Sequence, residues 1–453
     1  MKHKKLVISA KSDLTLKACM QAIDQNQMGF IMVVEGNNTP VGILTDGDIR
    51  ACLLKGATLD DPALKHLNRK FVSAQKNVSR ENILKLFDSS IRLVPILDGT
   101  TLRDIVTLND VRYDESTGIT ARAKAPARIS FGGGGTDLTP FFLEHGGAVL
   151  NATISLYSRA TIKRRSDKAI VIRSLDFDQT VTADGLSALK YDGNLDLLKA
   201  PLRLLKPEFG LELEVSSDFP PSSGLGGSSV VLASVIGCLN QFRSDNLDSY
   251  DIAELAFQAE RIELKCAGGW QDQYAAVFGG FNFMEFRRDR NEINSLRVPE
   301  SAVNELEERM ILCFTGRAHP VQKIHDKQKK RMVDEAHITE YAKRTRDIAY
   351  EMKAHLLRGE IDALGDLLHE GWTMKKTFSE DISDPEIDQL YDFARENGAV
   401  GGKLLGAGGG GFFLFQAGRD SRHNLIKALA AKNFTLREFN FDEKGLRNWI
   451  TKK

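Results

Sequence analysis

Apolar and polar positions alternate along this chain in three distinct rhythms. Near the N-terminus, two short apolar runs, Phe30-Ile-Met-Val-Val34 and Leu93-Val-Pro-Ile-Leu97, have the length and β-branched content of buried strands. Each is followed by turn residues, Glu35-Gly-Asn-Asn and Asp98-Gly99, and then by more apolar sequence, which predicts two hairpins. Helical spacing precedes them, as in Ile83, Leu84 and Leu86-Phe87. The two hairpins are copies: Val41-Gly-Ile-Leu-Thr-Asp-Gly-Asp-Ile-Arg50 recurs as Arg103-Asp-Ile-Val-Thr-Leu-Asn-Asp-Val-Arg112. Further on, period-two alternation in Leu150–Tyr157, Ala160–Lys163 and Ile170–Arg173 predicts a mostly antiparallel sheet, and Leu211–Val215 forms a last strand before a glycine-rich loop. Asp251–Lys265 reads as an amphipathic helix, with Ile252, Leu255, Ala256, Ala259, Ile262 and Leu264 mostly on one side. Helices dominate the remainder, at Val321–Arg358, Ile361–Phe378 and Pro385–Asn397.

Composition narrows what these elements can serve. A chain of 453 residues calls for two or three domains, and a hydrophobic share of 42% supplies their cores. Lys+Arg and Asp+Glu balance at 61 each, so no global field favours nucleic acid or an acidic membrane, and any anion site is local. No run reaches the roughly 20 apolar residues of a membrane span, and no signal peptide is read at the start. Five scattered cysteines without C-x-x-C spacing argue against a zinc site or a disulfide scaffold. A cytoplasmic protein is expected. Residues 114–122 are polar and aperiodic at their start and are read as a linker.

Candidate chemistry sits at the glycines. Pro220-Pro-Ser-Ser-Gly-Leu-Gly-Gly-Ser-Ser-Val230 joins a strand to an apolar helix, a layout that turns backbone N–H groups and a helix N-terminus toward an anion. It lacks the Gly-Lys-Ser/Thr of a P-loop, and Ser229 takes the third glycine position of a dinucleotide fingerprint, so an ordinary helix entry is the alternative. A strand carrying Arg128 leads to four glycines, Gly132–Gly135, then Thr136 and Asp137; the aspartate suits either sugar hydroxyls or the cap of a helix at Leu138–Leu143. Asp272, in Gly268-Gly-Trp-Gln-Asp-Gln-Tyr274, is a site residue or a turn aspartate. Glu260 and Glu263 read as surface glutamates unless a partner makes one of them a metal ligand. A last glycine turn, Gly406–Gly411, runs into a strand.

The N-terminal repeat, with its strand–Thr-x-x-Asp–helix signature, resembles a pair of CBS (cystathionine β-synthase) domains over residues 1–113. That resemblance implies a regulatory adenine nucleotide or nucleotide-sugar held by Thr45, Asp48, Thr107 and Asp110; helix caps in a dimerisation module are the other reading. Beyond it, Pro126-Ala-Arg-Ile with the Gly132–Asp137 turn, Pro220–Ser229 and Lys403–Gly411 stand in the order of the three motifs of the GHMP kinases. The expected fold is therefore α+β: a CBS-domain pair, then a two-lobed GHMP kinase with a ribosomal S5 domain 2-like N-terminal lobe (123–295) and a ferredoxin-like, helical C-terminal lobe (296–453).

Within that superfamily, Phe131–Asp137, Gln271–Ala276, Phe278–Phe286 and Gly406–Gly411 are most similar to D-glycero-D-manno-heptose 7-phosphate kinases, and fucokinase-type enzymes share part of the pattern. The resemblance implies ATP and Mg²⁺ as cofactors, with Pro221, Ser223, Gly224, Leu225, Gly226, Gly227, Ser228 and Ser229 around the phosphates and Ser228 with Glu260 on the metal. It makes Asp272 the catalytic aspartate, Arg128 its partner at the transferring phosphoryl group, and Gly134, Gly135, Thr136, Asp137, Gly408 and Gly409 the sugar site. Arg317, Lys375 and Lys403 stay open as the cation for a sugar phosphate. The absence of the Glu-His that galactokinase-like members carry in the first motif argues against galactose. The expected reaction takes a heptose 7-phosphate to its 1,7-bisphosphate for nucleotide-activated heptose synthesis. A fucokinase-like or other sugar 1-kinase, or a non-catalytic nucleotide or sugar sensor, is the alternative. A homo-oligomer is expected.

Overall fold

The computed structural model describes residues 6–11, 13–88, 91–107, 119–317, 324, 327–328, 331 and 335–452. The chain divides into two compact units, Met1–Glu115 and Ser116–Lys453.

In the first unit, strand β1 (Val7–Ser9) lies parallel to β2 (Phe30–Glu35), which turns back as β3 (Thr39–Thr45). The same three-strand arrangement recurs in β4 (Ala74–Gln75), β5 (Leu93–Asp98) and β6 (Thr101–Thr107). Both hairpins carry a register shift at the equivalent place, between Val33 and Val34 and between Ile96 and Leu97. Over the described residues, the repeat read in the sequence is thus a repeat of strand geometry; positions 108–112 of the second copy lie outside them. Strand β2 is apolar from Phe30 to Val34, where both its faces are covered: Ile31 and Val33 pack with Leu16, Cys19 and Ile23 of the preceding helix, while Phe30, Met32 and Val34 pack with Leu93, Leu102 and Ile105 of the second copy.

The second unit is built on β8 (Gly147–Arg164), a continuous strand where the alternation had suggested two. Ser158, between the two alternating segments, is buried with its hydroxyl 3.4 Å from that of Ser234. One edge of β8 is covered by β7 (Ile119–Gly132). The other is shared by β12 (Phe281–Phe286) on its first half and β11 (Leu211–Ser217) on its second, and β9 (Ile170–Ser174), β10 (Gln179–Ala183) and β13 (Asn291–Ser295) extend the sheet. Residues 440–442 close the gap between β12 and β11: Ser155 donates its N–H to the Asn440 carbonyl, and Asp442 and Thr153 exchange backbone and hydroxyl bonds. Strand β18 (Arg447–Lys452) then pairs with β7, so these C-terminal residues belong to the first lobe's sheet and not, as the 296–453 boundary assumed, to the second lobe.

The second lobe is a four-stranded antiparallel sheet in the order β15 (Ala399–Leu404), β16 (Phe412–Ala417), β14 (Met310–Phe314), β17 (Thr435–Arg437). Strand β16 buries apolar side chains on both faces. Phe412 and Leu414 join the core that holds Ile129, Phe131 and Tyr274 of the first lobe, while Phe413, Phe415 and Ala417 face Trp372 and Tyr391. The helices Ala336–Arg358, Ile361–Lys376 and Pro385–Glu396 confirm the helical expectation over the residues described.

Helix Ile361–Lys376 lies so close to β15 that a β-carbon on Gly401 would stand 1.9 Å from the Gly365 carbonyl oxygen. Gly401→Ala is therefore expected to push this helix off the sheet and cost about 3 kcal/mol, read as a lower urea midpoint, whereas an unchanged midpoint would contradict this packing.

Candidate active site

A cavity of about 400 Å³ is walled by all three glycine-rich stretches. The middle one rises from β11 and enters helix Gly227–Asn240 through Gly226, which caps the helix without any side-chain hydrogen bond, leaving its first N–H groups free of a side-chain acceptor. The loop is shaped by backbone-on-backbone contact. At Gly224 (φ +80°), an added β-carbon would lie 2.6 Å from the Leu405 carbonyl oxygen, and one on Gly406 would lie 2.6 Å from the Gly224 α-carbon. Phe412 N–H donates to the Ser223 carbonyl at 2.9 Å. The third glycine turn is thus pressed onto the first turn of the phosphate-type loop, where any side chain would hold them apart.

Arg128 and Asp272 stand at the centre. Arg128 is 4% exposed, on β7. Its Nε and Nη2 donate to Oδ1 of Asp272 at 2.8 and 2.7 Å, and its Nη1 to the Gly224 carbonyl at 2.6 Å. Asp272 is in the first turn of helix Gln271–Phe278, so it is a helix-start residue and not the turn aspartate weighed from sequence. Its Oδ2 lies against Gly226. One carboxylate oxygen is held by the arginine, and the other faces the loop.

Glu260 is buried, not a surface glutamate. The amphipathic helix expected over Asp251–Lys265 is α-helical only across Ser249–Phe257; Gln258–Glu263 is a π-turn. The wider turn rotates Ala259 and Glu260 inward and leaves Ile262, expected on the apolar side, 62% exposed. Ser228 donates to Oε1 of Glu260, and Ser229 and Gln273 donate to Oε2 at 2.8 Å each. Arg261 pairs with Oε1 at 3.2 Å. Ser228 and Glu260 therefore offer adjacent hard oxygen donors at the helix N-terminus, which fits a magnesium ion bound mainly through phosphate and water.

The other end of the cavity holds Asp137, Gln271, Lys375 and Lys403. The Asp137 carboxylate accepts the N–H groups of Gly135 and Gln271, both at 3.1 Å, and does not cap helix Thr139–His145, whose N-cap Leu138 makes no side-chain bond. Burial, with the nearby Asp272 charge, raises its proton affinity above the ordinary carboxylate range. Burial, reinforced by Arg128 and opposed by Asp137, lowers Lys403 to about 7. Burial, then Lys403 and Arg128, push Lys375 well below the usual lysine range.

Of the residues expected at the site, Pro221, Ser223, Gly224, Gly226, Gly227, Ser228, Glu260, Arg128, Asp272, Gly134, Gly135 and Asp137 all line the cavity. Five do not. Leu225 and Ser229 are buried behind the loop. Thr136 is fully buried, its hydroxyl bonded to the Gly133 and Ala148 carbonyls at 2.7 and 3.0 Å. Gly408 and Gly409 pack on Ile382 instead, and Gly406 and Ala407 take their place at the wall. Arg317 is tied to Asp384 and Glu386. The sequence reading passed over Ser130, Gln271 and Arg261, which also line the cavity; Ser130 is two positions from Arg128 and so shares its strand face. In the first unit, Thr45 and Asp48 form a reciprocal capping box, with Thr45 Oγ1 2.7 Å from Asp48 Oδ2. Thr107 is buried at the end of β6, and Asp110 lies outside the described residues.

Comparison with known proteins gives the family. Residues 196–280 match the model of the GHMP kinases N terminal domain, residues 352–435 that of the GHMP kinases C terminal region, and residues 4–55 that of the CBS domain. The chain is 37% identical over 336 residues to the D-glycero-alpha-D-manno-heptose 7-phosphate kinase of Campylobacter jejuni, covering 73% of this chain and 99% of that one. The chain belongs to the GHMP kinase family. The crystal structure of a D-glycero-D-manno-heptose 1-phosphate kinase from Bacteroides thetaiotaomicron superposes with a TM-score of 0.62 at 31% identity, over 73% of this chain and 98% of that one. The bifunctional fucokinase/GDP-fucose pyrophosphorylase of Arabidopsis thaliana is 27% identical over 65% of this chain and 30% of its own length. This GHMP kinase is an ATP-dependent sugar kinase carrying an N-terminal CBS domain. Among the described residues, no helix is long and apolar enough to cross a membrane.

Between about pH 7 and the ordinary lysine value of 10.5, Lys403 binds a proton in the unfolded chain but not in the native one, so its contribution to stability rises with pH. Denaturant midpoints measured from pH 7 to 10 should climb less in Lys403→Met than in the unchanged protein; parallel slopes would rule out the buried position of this ammonium.

Proposed function

We propose that this kinase transfers the γ-phosphoryl group of Mg·ATP to the anomeric hydroxyl of D-glycero-D-manno-heptose 7-phosphate, giving the 1,7-bisphosphate for nucleotide-activated heptose synthesis. The observation that carries the reading is the Asp272 carboxylate, gripped by Arg128 through one oxygen and facing the phosphate-type loop with the other. A base so placed can accept the proton of a sugar hydroxyl as that oxygen attacks phosphorus, and its fixed geometry supplies much of what phosphoryl transfer demands. The uncapped helix N-terminus at Gly227 and the Gly224–Gly227 backbone receive the phosphates. Ser228 and Glu260 hold Mg²⁺, which when bound neutralises charge on the phosphate oxygens. Leu197, Phe219 and Val231 give the cavity an apolar end suited to the adenine ring. Asp137, fixed by two backbone N–H groups, is positioned for the sugar hydroxyls. The identity to the Campylobacter jejuni enzyme across nearly its whole length favours a heptose phosphate over fucose.

In a coupled ADP-release assay over a sugar panel, D-glycero-D-manno-heptose 7-phosphate should give the highest kcat/KM, and Asp272→Asn should lower kcat at least about tenfold with this substrate. Good turnover of L-fucose or a hexose with none of the heptose phosphate would overturn the substrate assignment, and near-normal kcat in the variant would remove the base. We further propose that the CBS unit binds an adenine nucleotide or nucleotide-sugar that tunes the kinase. In that case AMP, ADP or a nucleotide-sugar added to the full chain should shift kcat or KM, and identical kinetics across such a series would end the idea.

A further inference from the structure

Two lysines in the cavity wall have no part in the reaction as described. Lys375, on helix Ile361–Lys376, and Lys403, on β15, are 8% and 6% exposed and both face the cavity. Lysine is rarely buried this deeply, because an ammonium stripped of water is several kcal/mol worse off unless an anion takes the water's place. Among the described residues no carboxylate bonds to either. Lys375 Nζ donates to the carbonyls of Leu404 and Gly406 at 3.0 and 2.5 Å, and Lys403 Nζ reaches the Phe131 carbonyl at 3.3 Å.

The cavity wall carries Arg128, Arg261, Lys375 and Lys403 with Asp137, Asp176, Glu260 and Asp272, but most of the carboxylates are engaged away from the lysines. Arg261 pairs with Glu260, Arg128 holds Asp272 by two hydrogen bonds, and Asp176 accepts the Ser217 N–H. Asp137 is the carboxylate that acts on Lys403, and its burial favours the neutral acid. An independent feature points the same way: Gln271, 4% exposed, has its Oε1 engaged by the Ser130 hydroxyl at 3.3 Å, while its Nε2 is a buried donor with no partner. Of the two, Lys403 is the one set at the first glycine turn. Lys403 Nζ lies 4.0 Å from where a Gly134 β-carbon would stand, over the first glycine turn, on the side of Asp137.

We propose that Lys403, backed by Lys375, forms a socket for a phosphate monoester carried by the acceptor sugar, and that this pair sets the preference for a sugar phosphate over the matching neutral sugar. Two ammonium groups match a dianion in charge, and the carbonyls that now hold them are weaker acceptors than phosphate oxygens. The proposal rests on the reading of this cavity as a sugar kinase site but not on the heptose.

The test uses two substrate pairs with the full chain, D-glycero-D-manno-heptose 7-phosphate against the unphosphorylated heptose, and D-mannose 6-phosphate against D-mannose. The unchanged enzyme should prefer the phosphorylated member. Lys403→Met should lower that preference at least about 30-fold, the range expected for one charge-assisted contact, through KM for the acceptor more than KM for ATP, and Lys403→Arg should restore part of it. Calorimetric titration at pH 8 in buffers of different ionisation heat adds a readout independent of turnover. The sugar phosphate is then already a dianion, so proton uptake on binding must come from the cavity, where Lys403 faces Arg128, Asp137 and Lys375. Uptake should be seen in the unchanged protein and shrink in Lys403→Met. A preference for mannose 6-phosphate without heptose turnover would leave the socket standing and remove the heptose. A preference for the neutral member in both pairs, equal losses on both members in Lys403→Met, or no proton uptake would overturn the socket.

Discussion

The guanidinium of Arg128 is the interaction on which the cavity depends. Its three donors reach residues 96 and 144 positions away in sequence, joining β7, the loop at Gly224 and the start of helix Gln271–Phe278. A buried arginine is tolerable only when its charge and its N–H groups are all met, so the loop and the helix must be in place together. That requirement fixes Asp272 against Gly226, and through the Gly224–Gly406 contact it also fixes the third glycine turn. The glycines let three backbones meet, and the arginine decides where they meet.

Much of this was legible from residues alone, and the reasons are specific. The hairpins at Phe30–Thr45 and Leu93–Thr107 follow from short apolar runs divided by turn residues, and the repeat survives even in the placement of its two bulges. Arg128, Asp272 and the loop stand out because glycine and charge recur in a fixed order, whereas Glu260 reads as a surface glutamate by its spacing and is singled out only by the resemblance to the GHMP kinases. The π-turn was not legible, since a one-residue widening leaves apolar spacing nearly helical up to Glu260 and then reverses which side Ile262 faces. Thr136 was misplaced because a hydroxyl beside an aspartate reads as a ligand, whereas its neighbours' carbonyls consume it. Gly408 and Gly409 were misassigned for a related reason: in a run of four glycines, sequence does not tell which meet the cavity and which meet Ile382.

Electrostatics in the cavity follow from burial more than from the number of charges. A chain of balanced charge concentrates arginine and two lysines in one pocket, and the same low-polarity wall that lowers Lys403 raises Asp137. For Lys403, Lys375 and Asp137, burial favours the state that sheds charge. In the first unit the opposite holds. Thr45 and Asp48 satisfy each other at a helix start open to solvent, and any ligand there competes with a cap that is already complete.

The sheet of the first lobe has one further property. Strand β7 opens the second unit at Ile119, yet one of its edges is paired by residues 447–452, and the gap on the far side of β8 is filled by residues 440–442. Contacts so distant in sequence are slow to form, because the whole intervening chain must be closed into a loop before they contribute. Every residue that lines the cavity, from Arg128 to Ala407, lies inside that loop. During synthesis the first lobe therefore stays open along one edge until the second lobe has been made, which ties the order of assembly to the direction in which the chain is read.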